Sequence, residues 1–121
     1  MKYLLMIYHN ESAFEALSES ERQRMYGDYR QLREQLIARG QYVSGSQLQP
    51  STTAKTMRLN GGKELVTDGP FAETHEQLGG FFMVDVNNVD EALAIAKQIP
   101  SLPMGAMEVR ALIDGPVETS G

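Results

Sequence analysis

The chain contains no cysteine, which removes disulfides, thiolate catalysis and every cysteine-based zinc site at once. It also lacks a long apolar run. The segment Tyr3 to Tyr8 is only about six residues, against the roughly 20 of a membrane span, and it has no signal-peptide h-region. A cytoplasmic protein without membrane contact is the expectation. Positive charge is scarce as well: 11 Lys and Arg against 16 Asp and Glu leave a net charge of −5, which argues against a sequence-independent grip on nucleic acid or anionic lipid. Five arginines do fall between Arg22 and Arg39. They alternate with Glu19, Glu21, Asp28 and Glu34 and read as a solvated helix face with local ion pairs rather than a basic stripe. Catalytic fingerprints are missing too. There is no HExxH, no Walker loop and no GxSxG elbow, and Gly61-Gly62 and Gly79-Gly80 lack the strand-to-helix context of a phosphate cradle. No cofactor is expected.

What is present is the composition of an ordinary globular protein, 41% hydrophobic and 22% charged over 121 residues, enough for one domain with one core. Lys2 to Tyr8 has strand length and composition, with both faces apolar. Ser18 and Glu21 make a capping box for a long helix running to Arg39, with Met25, Tyr29, Leu32 and Leu36 at helical spacing and Gly40 as its stop. Tyr42 to Leu48 is a second strand. Lys55 to Leu59 turns through Asn60-Gly61-Gly62 into Lys63 to Thr67, a half-exposed hairpin inserted over about 54–67. Phe81 to Val86 is a strongly apolar strand. Asn88 and Glu91 cap a second helix whose Val89, Ala92, Leu93, Ala96 and Ile99 share a face and which Pro100 stops. Met107 to Ile113 is the last strand, and a loose tail is expected over about 115–121.

This order predicts an α+β, ferredoxin-like fold: two βαβ halves split by the hairpin, one mainly antiparallel sheet, and two helices on a single face. Adjacent residues of Phe81-Phe82-Met83-Val84 point to opposite faces yet all are apolar, so the face away from the helices needs a cover. A second copy of the chain is the simplest one, giving a homodimer with its sheets face to face, a dimeric α+β barrel.

Between the hairpin and the third long strand lies Asp68 to Gly80, DGPFAETHEQLGG, which packs turn formers, carboxylates, a histidine and a glycine pair into one polar segment. At Asp68-Gly69-Pro70-Phe71-Ala72-Glu73-Thr74 and Gln77-Leu78-Gly79-Gly80-Phe81 the chain resembles the YCII-related family, in particular its subgroup named for the DGPF motif. The opening MKYLLMIYHNE, the Gln47-Leu48-Gln49-Pro50 turn, Val89-Asp90-Glu91-Ala92 and Glu108-Val109-Arg110 extend the likeness over nearly the whole chain. The resemblance implies a ferredoxin-like dimeric α+β barrel and an association with extracytoplasmic-function sigma factors, but no established reaction. Two positions depart from the pattern: His75 stands where the subgroup has Lys, and His9 where it often has a small or acidic residue.

The candidate site residues follow from this segment and from the end of the first strand. Asp68 either fixes the turn by accepting backbone N–H bonds or acts as a general base or ligand anchor. His75 and His9 are the two groups able to exchange protons near neutrality, with an exposed, inert His75 as the alternative. Gly69 and Pro70 shape the turn, Phe71 is a core plug or a ligand platform, Glu73 pairs with a histidine, and Gln77 offers an amide to a ligand or to the backbone. Asp68, Glu73, His75 and His9 supply two carboxylates and two imidazoles, but no spacing places two of them on one face, so no metal is expected. Two functions remain open. One is a small-molecule-binding or regulatory module, with a metabolite or a protein partner. The other is a cofactor-independent enzyme moving a proton on a small organic acid or carbonyl compound.

Overall fold

The computed structural model describes residues 1–113; the loose tail expected over about 115–121 lies outside the described residues. Strands β1 (Lys2–His9), β2 (Tyr42–Gln47), β5 (Gln77–Asp85) and β6 (Gly105–Ala111) form one sheet in the order β2-β5-β1-β6. Every pair in it is antiparallel. Among the described residues, strands β3 (Lys55–Asn60) and β4 (Lys63–Asp68) pair only with each other, as the separate hairpin. Helices α2 (Glu19–Ala38) and α3 (Val89–Ala96) cover one face of the four-stranded sheet, the ferredoxin-like arrangement. Among the described residues no helix is long and apolar enough to cross a membrane.

The core follows from strand alternation. Tyr3, Leu5, Ile7 and His9 of β1 point to the helices and are buried, as are Phe82 and Val84 of β5, against Leu32 and Leu36 of α2 and Ala92 and Ile95 of α3. On the other face Leu4, Met6, Tyr8, Phe81 and Met83 are only half-buried within the single chain. The capping box of α2 is formed, with the Glu21 backbone N–H donating to Ser18 Oγ and the Ser18 N–H to Glu21 Oε1. The helix stops where Gly40 takes φ 71, a left-handed conformation that suits glycine.

Four expectations are corrected. Helix α3 ends at Ala96, with Lys97 as its C-cap, before Pro100 is reached; its buried face is Ala92, Ile95 and Ala96, with Ile99 buried beyond its end, while Val89 and Leu93 are exposed. The third long strand begins at Gln77, so Gln77 to Gly80 belongs to β5 and the polar connection is shorter than its composition suggests. Helix α1 (Glu11–Glu15) was not expected; at five residues it has no readable period, and Asn10 caps it by accepting from the Ala13 N–H. Finally, the arginines of α2 form no ion pairs with its acids among the described residues, where the ion pairs are Met1–Asp85, Lys55–Asp68 and Arg110–Glu108.

Candidate functional site

Where β1 ends, two features of the strand pairing make room for His9. The register of β1 against β5 runs Ile7 to Gly80 and then Tyr8 to Leu78, so Gly79 is an extra residue, a β-bulge. A β-carbon at Gly79 would lie 2.6 Å from His9 Nδ1 and would overlap Cε1; glycine leaves that volume to the imidazole. Gly80 is similarly constrained, since a β-carbon there would meet the Ser46 carbonyl oxygen at 2.8 Å. The glycine pair thus serves close approach between strands.

His9 is 8% exposed, and its Nδ1 is buried without a hydrogen-bond partner among the described residues. The ring of Phe14, carried on α1, lies 4.9 Å from it, centroid to centroid. Burial depresses the imidazole pKa below its ordinary 6.5, and the Glu11 carboxylate only partly opposes this, so His9 is uncharged at neutral pH. The Glu11 carboxylate is itself engaged. It accepts from the Ser51 backbone N–H at 2.7 Å and from Ser51 Oγ at 2.5 Å, which pins the end of β1 to the turn Ser51–Thr53.

His9 lines a cavity of about 270 Å³ between α2 and the helix-facing side of the sheet. Its α2 wall is Tyr26, Tyr29, Arg30 and Arg33, spaced i, i+3, i+4 and i+7, one stripe of the helix. The sheet wall is Ile7 and His9 of β1, Gly45 and Gln47 of β2, and Gly80 and Phe82 of β5, each pair two residues apart and so on one face. Tyr29 Oη and Ser101 Oγ share a hydrogen bond of 2.5 Å at the floor. Burial raises the Tyr29 hydroxyl pKa above its ordinary 10.0, so it is a neutral donor or acceptor. Gln47 Nε2 donates to Tyr26 Oη at 3.4 Å. A second cavity of about 160 Å³ adjoins His9, Phe14 and Gly79 and carries Glu11, Glu15 and Arg22. The Arg22 guanidinium lies 5.8 Å from the centre of the Phe14 ring and donates to the Glu15 carbonyl. The combination is a partly apolar chamber with an uncharged imidazole, two phenols, a buried hydroxyl and two guanidinium groups, enough to bind, orient and exchange a proton with a small molecule.

Of the residues nominated from sequence, His9 alone lines the larger cavity. Gln77 is its register partner on β5, but the Gln77 amide accepts from the Glu11 N–H and donates to the Thr74 carbonyl, a bridge between β1 and the polar connection. His75 is exposed, with Nε2 3.4 Å from Asn10 Nδ2. The connection and the end of β1 therefore meet through Asn10 and Glu11. Asp68 closes the hairpin, 83% exposed and paired with Lys55, in place of the expected bonds from turn N–H groups. Gly69 takes φ 101; its N–H donates to the Ala54 carbonyl and its own carbonyl accepts from Thr56 Oγ1, so it anchors the hairpin base. Pro70 is half-buried beside it and Glu73 is exposed. Phe71 is no core plug: it is 75% exposed, with the Arg58 guanidinium 4.8 Å from its ring centre.

Sequence reasoning passed over the Tyr26-Tyr29-Arg30-Arg33 stripe and Ser101. The stripe is visible in the sequence at helical spacing, directly beside the apolar stripe that ends in Leu32 and Leu36.

Comparison with known proteins bears on this arrangement as a whole. A protein of Rhizobium meliloti (strain 1021), described as uncharacterized protein R00369, is 37% identical over 114 residues, covering 93% of this chain and 92% of the relative. The family model of the YCII-related domain matches residues 1–115, and the chain belongs to the YCII-related family.

Proposed function

We propose that this protein binds a small organic molecule in the cavity between α2 and the sheet, with His9 as the group that senses or exchanges a proton with it. The observation that carries the reading is a buried, uncharged imidazole lining a cavity otherwise ringed by hydrogen-bonding groups. A homodimer through the half-buried apolar face of the sheet, and a regulatory role of the kind that the DGPF-subgroup resemblance implies, complete the proposal. The cytoplasm is the proposed compartment.

A second reading, a cofactor-independent enzyme, is favoured by the depressed pKa of His9, because a general base must be unprotonated at working pH. The polar connection then holds the strand ends through Gln77 and His75 rather than touching the ligand.

Glycine amides give a direct test, since glycines mark both regions. In a ¹H–¹⁵N spectrum recorded with a panel of small carboxylates, amides and phenols, the amides of Gly45, Gly79 and Gly80 move on binding while those of Gly61, Gly62 and Gly69 stay. Shifts confined to Gly69 and its neighbours place the site in the polar connection and overturn the assignment.

A further inference from the structure

We infer that the ligand of the larger cavity is an anion, a small carboxylate with an apolar body, gripped by Arg30 and Arg33. The inference rests on the cavity being the ligand site and adds what the site selects. The first observation is a charge asymmetry. The chain carries 16 acidic residues against 11 basic ones, yet no acid among the described residues lines this cavity, while two arginines do. An anion therefore finds there a field opposite in sign to that of the protein as a whole.

The second observation is that these guanidinium groups are uncommitted. Neither Arg30 nor Arg33 forms an ion pair among the described residues, although α2 offers Asp28 and Glu34 beside them. One helical turn apart and on the same stripe, both line the one cavity and both are exposed, so their planar forks are free to meet a carboxylate at its rim. The third observation is the opposite end. His9 is uncharged, Ile7 and Phe82 are apolar, and beyond His9 the smaller cavity carries two carboxylates, Glu11 and Glu15, against the one guanidinium of Arg22, a net negative charge. An anionic group is repelled from that end and drawn to the arginine end. The ligand is thereby oriented, with its carboxylate at Arg30 and Arg33 and its uncharged body against Phe82 and the imidazole. The volume sets the scale: a cavity of about 150 Å³ accommodates benzene, so about 270 Å³ holds an aromatic or cyclic acid of similar size with its carboxylate.

Benzoate and its neutral isostere benzamide are the probes, titrated calorimetrically into the full-length protein. Benzoate binds at least tenfold more tightly than benzamide, and raising the salt concentration weakens benzoate alone. Arg30→Gln and Arg33→Gln each weaken benzoate about tenfold or more, and leave benzamide unchanged. Arg24→Gln, which removes the same charge from α2 outside the cavity lining, alters neither. Equal affinities for the two probes, or an Arg24→Gln effect as large as those of the cavity arginines, overturn the anion assignment while leaving the cavity as a binding site. Failure of both probes to bind overturns the assignment and the cavity reading together.

Discussion

The imidazole of His9 occupies the volume that a side chain on Gly79 would need, and the bulge at Gly79 is what brings the two together. A β-strand end, one missing β-carbon and one extra residue thus create a buried titratable group facing a cavity. Gly79→Ala is accordingly expected to drive the ring out of its place. Overpacking of this kind costs about 1–3 kcal/mol, read as a fall in the denaturant midpoint, and ligand affinity falls with it. A Gly79→Ala protein of wild-type stability would show that the backbone yields and the ring is not held there.

The same burial makes stability depend on pH. Because the folded-state pKa of His9 is depressed below 6.5, the unfolded chain binds more protons than the native one between the two values, so stability falls as pH is lowered. Above about 6.5 this contribution is constant and fully present; it is lost as pH drops from there toward the folded pKa. Urea titrations between pH 7.5 and 5 measure the slope. His9→Gln flattens it relative to the wild type, and an unchanged slope in that variant would show that His9 does not carry it.

Tyr29 and Ser101 form a bond between α2 and the segment after α3. Tyr29→Phe strands the buried Ser101 hydroxyl and is expected to cost about 1–3 kcal/mol. Adding Ser101→Ala removes the stranded group, so the double variant is more stable than the sum of the single effects predicts. Strict additivity in this cycle would mean that the two hydroxyls do not depend on each other.

On the other side of the sheet, the proposed homodimer rests on Leu4, Met6, Tyr8, Phe81 and Met83. Light scattering of the wild type gives twice the mass of the chain, and Met6→Glu, which sets a charge among these side chains, gives the single-chain mass with helix content preserved. A wild-type monomer at micromolar concentration contradicts the covered-face argument.

Much of the scaffold is legible from local chemistry. Ser18 with Glu21, Asn88 with Glu91, and Asn60-Gly61-Gly62 mark two helix starts and a hairpin turn through bonds that close within four residues, and each forms as expected. The five-residue α1 escapes because it is held by tertiary contacts, Phe14 on His9 and Glu11 on Ser51, rather than by period or length. Composition also misleads in the glycine pair, which looks like loop but lies in a strand where neighbouring atoms leave no space.

The site is harder to read for a related reason. Density of polar residues draws attention to Asp68 through Glu76, whose chemistry is spent on the hairpin base and on Asn10. The cavity is instead assembled from single residues of β1, α2, β2, β5 and the Ser101 turn, each ordinary in its own segment. Arg30 and Arg33 are exposed like other arginines of α2 and are set apart only by the sheet, which makes them part of a cavity wall. His9 was accessible because it stands at the carboxyl end of the first strand, and β1 extends far enough to put it on the same face as Leu5 and Ile7.

The central claim is that ligand meets protein at His9, and the most direct measurement is a long-range ¹H–¹⁵N spectrum of the two imidazoles during titration with benzoate. The account predicts that the His9 ring resonances shift saturably while those of His75 remain in place. Saturable shifts at His75 with His9 unmoved would contradict it.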